Sequence, residues 1–225
     1  MMPVYVGYDH REAKAIHTCV NSLVTRSSKP VSVCYLAKNQ FEFHDPRHKD
    51  GYKPSNQFIF SRFLVPELQN YKGWALFVDG DMIVLEDISQ LFYLRDESKA
   101  VMVVKHNYKT KFPVKYLGAR NEDYPRKNWS SVVLWNCGHP ANKVLTTEYI
   151  QNATGEHLHR FQWLTDDQIG ELPVEWNWLV DEYPHNENAK LLHYTIGGPY
   201  FPDFADCDHA INWTIEHKKA DYAGV

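Results

Sequence analysis

The chain alternates short unbroken apolar runs with stretches in which apolar residues recur at helical spacing. Residues 3–8 form a first run that ends at Gly7 and Tyr8. Ala13, Ile16, Val20 and Leu23 then repeat on one helical face to about residue 24, and residues 31–36 make a second run. This β-α-β beginning, with a short connection after the first strand, predicts the start of a nucleotide-binding sheet. A helix is expected from Ser55 to about residue 68, with Phe58, Ile59, Phe63 and Leu64 turned inward. Residues 75–78, 82–85, 100–104 and 131–136 are further apolar runs, the kind buried on both faces of a mostly parallel sheet. Between them we expect a short helix at 86–94, an extended pair at 110–117, a polar loop at 121–127 and a helix over 141–152. A last short strand is expected within 189–196. No repeat or low-complexity segment appears. The expectation is one α/β domain over 1–225 with a mostly parallel central sheet flanked by helices. Its nucleotide-binding half would be about 1–105, and its acceptor and sugar half about 106–225.

One run carries more than packing. Residues 75–78 lead directly into Asp79-Gly80-Asp81. A buried parallel strand ends at a ligand edge, because open α/β sheets bind ligands beyond the carboxyl ends of their strands. Two carboxylates there repel each other and lose hydration, so a cation must compensate them. A divalent metal bridging to a diphosphate would do so, and Gly80 lets the chain turn sharply against a ligand. The plain alternative is a strand-ending turn with solvated aspartates; the apolar residues on both sides favour the metal.

Other candidates sit at comparable positions. Gly7 to Arg11 follow the first strand, where Tyr8 could cover a base and Arg11 meet a carboxylate or phosphate. Asp9 and Glu12 also have the spacing of a capping box, which would make Asp9 a helix cap only. Arg62, inside an apolar helix, either snorkels to a surface carboxylate or points at the Asp79/Asp81 edge. His44 and His48 fall in a polar stretch and read as solvated loop histidines. Asp166, Asp167 and Gln168 are either partners for sugar hydroxyls or the charged first turn of a short helix. His193 is delivered by the last strand and is a suitable third ligand beside two carboxylates for a Mn2+-like ion. Gly197 and Gly198 could bring backbone N–H groups to a phosphate.

Composition narrows the class. The 225 residues carry 24 basic and 28 acidic side chains, a net charge of −4, with no basic block, which argues against nucleic acid as a partner. No apolar run is long enough to span a membrane, and the N-terminus lacks a signal pattern, so the expectation is a cytoplasmic protein. Cys19, Cys34, Cys137 and Cys207 show no metal spacing and read as reduced thiols.

Taken in order, these motifs resemble a GT-A glycosyltransferase, most closely the retaining, glycogenin-like group that includes bacterial lipopolysaccharide glycosyltransferases. The residues that carry the resemblance are Tyr8-Asp9, the 60–67 segment around Arg62, Phe77-Val78-Asp79-Gly80-Asp81, and Ser130 to Asn136. Further on they are Asp167-Gln168, Leu172-Pro173 with Trp176-Asn177, and His193 with Gly197-Gly198-Pro199. The resemblance implies a Rossmann-like domain in which Asp79, Asp81 and His193 hold Mn2+ (or Mg2+) on a UDP-sugar. It implies a nucleotide-sugar site of Val6, Gly7, Tyr8, Asp9, Arg11, Arg62, Val78, Asp79, Gly80, Ser130, Asp167, Gln168, Gly197 and Gly198. Arg62, Asp167 and Gln168 would be the catalytic set. The implied activity is transfer of a hexose from UDP-glucose or UDP-galactose to a hydroxyl acceptor, with retention. If the reaction instead inverts, Asp166, Asp167 and Asp203 are the candidate bases. The family's His-x-x-Gly-x-x-Lys-Pro-Trp ending is interrupted, since Gly197-Gly198-Pro199-Tyr200 supplies no lysine. Rival readings are a non-catalytic sugar-nucleotide or glycan-binding module, a sugar-phosphate nucleotidyltransferase and a metal-dependent hydrolase. The nucleotidyltransferase would want a Gly-rich basic loop after strand one, and the hydrolase a more closed His and Asp cluster; neither is present.

Overall fold

Successive side chains of each central strand fall into different cores, which is what a sheet covered on both faces requires. In this computed structural model, which describes residues 1–40 and 56–221, β1 spans Met2–Tyr8, β2 Val31–Ala37, β3 Trp74–Val78, β5 Val101–Val103, β6 Val132–Asn136 and β7 Ile169–Glu171. Tyr5, Ala75, Phe77, Val101, Val103, Val133 and Trp135 join one core, with Phe58, Phe63 and Phe161. Val4, Val6, Leu76, Val78, Met102, Val132 and Leu134 join the other, beneath Ile16, Cys19 and Leu23 of α1 (Ala13–Arg26). The strand order is β2-β1-β3-β6-β5-β7, and only β6 runs against its neighbours. The sheet is thus mostly parallel, as the apolar runs predict.

A second, smaller sheet completes the site. β4 (Met82–Val84) pairs antiparallel with β9 (Leu191–His193), which pairs with β8 (Trp178–Leu179). Helix α1 ties the two sheets together: Ser22 donates its hydroxyl to the Cys19 carbonyl at 2.7 Å and accepts from the Val84 N–H at 3.0 Å.

The helices depart from expectation in instructive places. The segment after Asn56 is a 3-10 turn, Ser61–Leu64, running into the four-residue α2 (Val65–Leu68), with Pro66 at its first turn. Its expected start at Ser55, and the loop holding His44 and His48, lie outside the described residues. Residues 89–93 form α3 (Ser89–Tyr93). The single helix expected over 141–152 is a 3-10 turn (Pro140–Val144) followed by α4 (Thr147–Asn152) and α5 (Gly155–His159). Thr146 and Thr154 each cap a new helix with their hydroxyls, so the chain restarts twice. Residues 110–117 form no strand; one isolated bridge joins Val114 to Arg120. A C-terminal helix, α6 (Ala210–Asp221), was not anticipated.

Candidate metal and nucleotide-sugar site

β1 and β3 are parallel neighbours, so Gly7–Asp9 and Asp79–Asp81 emerge at one sheet edge. The start of β6 lies beside them, and the Asp79 N–H donates to the Ser131 carbonyl at 3.0 Å. Gly80 has no room for a side chain: a Cβ there would meet Ile16 and lie 2.6 Å from the Gly7 carbonyl oxygen. The turn therefore packs directly on the end of β1. The register of the small sheet sets Met82 opposite His193, and the Tyr194 N–H donates to the Asp81 carbonyl at 3.0 Å. In this way a residue 112 positions downstream is placed against the aspartates by backbone pairing alone.

The three side chains converge. His193 Nε2 lies 3.4 Å from Asp81 Oδ1 and 3.9 Å from Asp79 Oδ2. On its other side, His193 Nδ1 is 3.0 Å from the Asn177 carbonyl oxygen Oδ1. That oxygen can only accept, so Nδ1 carries the proton and Nε2 turns a lone pair toward the carboxylates. Asn177 is itself held by its amide, which donates to Ser131 Oγ at 2.8 Å. Asp79 Oδ1 and Asp81 Oδ1 are buried and accept no hydrogen bond among the described residues. Arg62 Nη1 stands 2.9 Å from Asp79 Oδ1 as an ion pair and donates to the Ser130 carbonyl at 2.9 Å. The Arg62 guanidinium lies over the adjacent Phe58 and Phe77 rings, 5.1 and 5.0 Å from their centres. Two carboxylates and a bare imidazole nitrogen, all within 4.8 Å, form a donor set of the kind that holds a divalent ion.

The electrostatics agree with that fit. Burial pushes the Asp79 carboxyl up to about 6, with Arg62 opposing and the Asp81 charge adding to the rise. Burial also acts to raise Asp81, but positive charge beside it, on a doubly protonated His193 or a cation in that proton's place and on Lys115, outweighs burial and holds that carboxyl below its ordinary value. Behind the aspartates, burial and the Asp81 charge push Glu12 up to about 8. Tyr116 Oη is 2.8 Å from Glu12 Oε2, and Tyr200 Oη is 3.3 Å from Oε1. Two tyrosine hydroxyls thus face an acid that keeps its proton.

A cavity of about 430 Å³ opens over this cluster. Asp79, Asp81, His193, Arg62 and Ser130 line it together with Lys115, Asn128, His159 and Arg160. Ser130 Oγ is 2.7 Å from His159 Nδ1, and Lys115 Nζ donates to Thr195 Oγ1 at 2.9 Å. Burial lowers the Lys115 amine to about 8.

The structure divides the expected site residues into groups. Asp79, Asp81, His193, Arg62 and Ser130 meet at the cavity. Val78 ends β3 and Val6 lies two residues before the end of β1, but their side chains are fully buried core, and Gly7 and Gly80 supply the close approach between those strand ends. Tyr8, Asp9 and Arg11 share the same edge without lining this cavity. Asp9 caps the next turn by accepting from the Arg11 N–H at 3.0 Å, and it binds the Arg11 guanidinium at 2.5 Å, so Arg11 already has its carboxylate. There is no capping box, because Glu12 turns inward.

Two of the expected groups lie away from this cavity. Asp167 and Gln168 immediately precede β7, which runs parallel to β5, with Val101 opposite Ile169 and Trp135. That places the pair at the amino-terminal edge of the parallel strands, the edge opposite Asp79. Asp167 is exposed, and Gln168 closes a capping box with Thr165. Gly197 and Gly198 are buried against Phe204 and Tyr200, whose rings occupy the space beside them, and they do not line the cavity. What the sequence reading missed is Glu12, Lys115, Asn177 as the partner of His193, and the His159/Arg160 wall. Lys115 and Thr195 gave no local pattern; only the folded arrangement brings them together.

Solved structures with a similar fold are glycosyltransferases. The bifunctional glycosyltransferase WbbM aligns with TM-score 0.68 at 14% identity, over 96% of this chain and 49% of that one, so this chain spans about half of WbbM. The galactosyltransferase LgtC, in complex with donor and acceptor sugar analogues, aligns with TM-score 0.61 at 13% identity over 99% of this chain and 98% of that one. The glycosyltransferase GlyE of Streptococcus pneumoniae TIGR4 aligns with TM-score 0.60 at 13% identity over 96% of this chain and 61% of that one. The fold is therefore that of the GT-A glycosyltransferases. Sequence adds the family. Protein CDI of Arabidopsis thaliana is 44% identical over 219 residues, 95% of this chain and 85% of that protein. The glycosyl transferase family 8 model matches residues 2–200, and the chain belongs to that family.

Proposed function

We propose that this protein transfers a hexose from a UDP-sugar, UDP-glucose or UDP-galactose, to a hydroxyl acceptor, with a Mn2+-type ion at Asp79, Asp81 and His193. The observation that carries this reading is the convergence of the Asp79 and Asp81 carboxylates and an imidazole nitrogen of His193 on one cavity, with Asp79 balanced, among the described residues, only by its ion pair with Arg62. When bound, the ion supplies Lewis-acid stabilisation of the charge that develops on the leaving diphosphate. The chain's own residues do the rest. Arg62, fixed by Ser130 and two phenylalanine rings, offers its remaining guanidinium N–H groups to the donor. Lys115, which donates to Thr195 Oγ1, adds a second cation to the cavity lining.

Retention is the stereochemistry this site supports best. Of the bases an inverting reaction would need, Asp166, Asp167 and Asp203 are all exposed, and none lines the cavity. The glutamates that do line it, Glu122 and Glu156, are each ion-paired, with Arg120 and Arg160. In a retaining transfer the bond from the sugar to the diphosphate breaks on the face where the acceptor oxygen attacks. The acceptor proton then passes to the departing diphosphate, so no carboxylate base is required. The cysteines are free thiols, as in a reducing compartment, and cytoplasmic residence is part of the same reading.

The test is UDP release from UDP-glucose and UDP-galactose with and without Mn2+, beside thermal shifts with UDP-, GDP-, ADP- and CMP-sugars. We expect Mn2+-dependent stabilisation by a UDP-sugar and slow donor hydrolysis, both lost in Asp81→Asn. Stabilisation without any turnover would favour a binding module instead. Undiminished donor affinity in Asp81→Asn would remove the metal from the account.

A further inference from the structure

A second cluster of metal-ligating side chains lies outside the cavity. His185, in the connection between β8 and β9, faces Asp208 and His209, which precede α6. None of the three lines the cavity over Asp79. His185 Nδ1 is 2.6 Å from Asp208 Oδ1, and His209 Nε2 is 3.6 Å from Asp208 Oδ2. The two imidazoles are stacked, 4.3 Å between centres at 16°, so they approach the same carboxylate side by side.

His209 is the residue that points to a ligand. Its ring is 97% buried, with 3% of the side chain accessible, and Nε2 has no hydrogen-bond partner among the described residues. On the opposite side, Nδ1 lies 3.1 Å from the side-chain amide oxygen Oδ1 of Asn212. That contact fixes the proton on Nδ1 and leaves Nε2 with a bare lone pair directed at a carboxylate oxygen. Two acceptors facing each other at this distance repel unless a proton or a metal cation lies between them. A carbonyl oxygen that orients a histidine from behind is also the usual support of a metal-binding imidazole. The backbone is set to hold the carboxylate, since the Asp208 N–H donates to Asp181 Oδ1 at 3.0 Å.

We propose that His185, Asp208 and His209 form a second divalent-cation site of the zinc type. Two imidazoles and one carboxylate suit a borderline ion such as Zn2+, where Mg2+ or Ca2+ would want oxygen ligands throughout. Ligands about 2.0–2.2 Å from a tetrahedral ion stand about 3.3–3.5 Å from one another. The 3.6 Å His209 contact already has that span; the 2.6 Å His185 contact must open by somewhat under an ångström, which an exposed side chain on a surface connection permits. Three protein ligands leave the fourth position to water. The ion would link the β8–β9 connection to the start of α6, and α6 packs on α1 through the Arg26–Glu216 pair at 2.6 Å. Its effect would be to hold the C-terminal helix in place.

The test is equilibrium dialysis of the chelator-treated full chain against Zn2+, in Asp81→Asn protein so that the first site is crippled, with Co2+ visible absorption as a coordination readout. We expect one Zn2+ per chain in that background and tetrahedral Co2+ bands. His185→Ala, a substitution at an exposed side chain, should weaken Zn2+ binding at least about tenfold and abolish those bands, and Asp208→Asn should do the same. Zn2+ should also raise the midpoint of thermal unfolding in the Asp81→Asn protein but not after His185→Ala. Absence of Zn2+ binding in Asp81→Asn, or binding that His185→Ala leaves unchanged, would overturn the site.

Discussion

Glu12 offers the most quantitative test of how the site is built. Its carboxyl is 4% exposed, sits between Tyr116 and Tyr200, and is pushed from 4.5 to about 8, first by burial and then by the Asp81 charge. Between those two values the folded chain keeps a proton that the unfolded chain has released, so the folded state binds more protons and stability must fall as pH rises. At about 1.4 kcal/mol for each pH unit, the interval amounts to about 5 kcal/mol lost between pH 4.5 and pH 8, with little further change above. Asp79, pushed up to about 6, contributes a slope of the same sign, so the informative quantity is the difference from a variant. Glu12→Gln keeps the shape and accepts from Tyr116 but has no proton to lose. Urea unfolding of metal-free protein, followed by tryptophan fluorescence from pH 5 to pH 8.5, should find the two proteins alike near pH 5. The variant should be several kcal/mol more stable above pH 8, with unchanged m-values. A divalent ion offsets the charge of Asp81 and stabilises ionised Asp79, so adding Mn2+ should shallow the slopes of both proteins, the wild type's by more. Parallel stability profiles for the two proteins would refute a protonated Glu12.

Other consequences are as direct. Asn177→Ala removes the oxygen that fixes the His193 tautomer, and Mn2+ affinity measured by calorimetry should fall about 10–100-fold. Lys115→Met removes a charge-assisted contact worth about 1.5–3 kcal/mol, so UDP-sugar affinity should drop by at least about tenfold while Mn2+ binding alone does not weaken. Asp167→Asn and Gln168→Ala act at the far edge of the sheet, and UDP-release kinetics should stay within about twofold of wild type. A tenfold loss there would mean that the pair reaches the donor after all.

The sheet was legible because its signal is local. Runs at 75–78, 100–104 and 131–136 are apolar on both alternating faces, and such strands have nowhere to lie but between two cores. Asp79 and Asp81 were legible for the same reason, as carboxylates directly abutting a buried strand end. The C-terminal helix was not, because its pattern is inverted. α6 exposes Ile211 and Ile215 and buries Trp213 and Glu216, the latter carried inside by its pair with Arg26. An ion pair between residues 26 and 216 leaves no trace in a periodicity. Glu12 misled in the same way: its spacing from Asp9 fits a cap, but Tyr116 and Tyr200, both distant in sequence, take it into the interior.

The Asp167-Gln168 pair shows where motif order and topology part company. An acid and an amide can meet a donor only if they stand at the carboxyl edge of the parallel strands, where Asp79 is. A residue that flanks a strand of this sheet reaches that edge in two ways: it follows a strand of the common direction, or it precedes a reversed one. Asp79 follows β3, and Ser130 lies just ahead of reversed β6; both line the cavity. Asp167-Gln168 does neither, for it precedes β7, which runs in the common direction with no helix between to carry the chain back across the sheet. The wall that the pair would have formed is made instead by His159 and Arg160 at the end of α5, with His159 bonded to Ser130. For the residues that flank the strands of this sheet, strand direction, more than their order in a motif, therefore decides which polar side chains line the cavity.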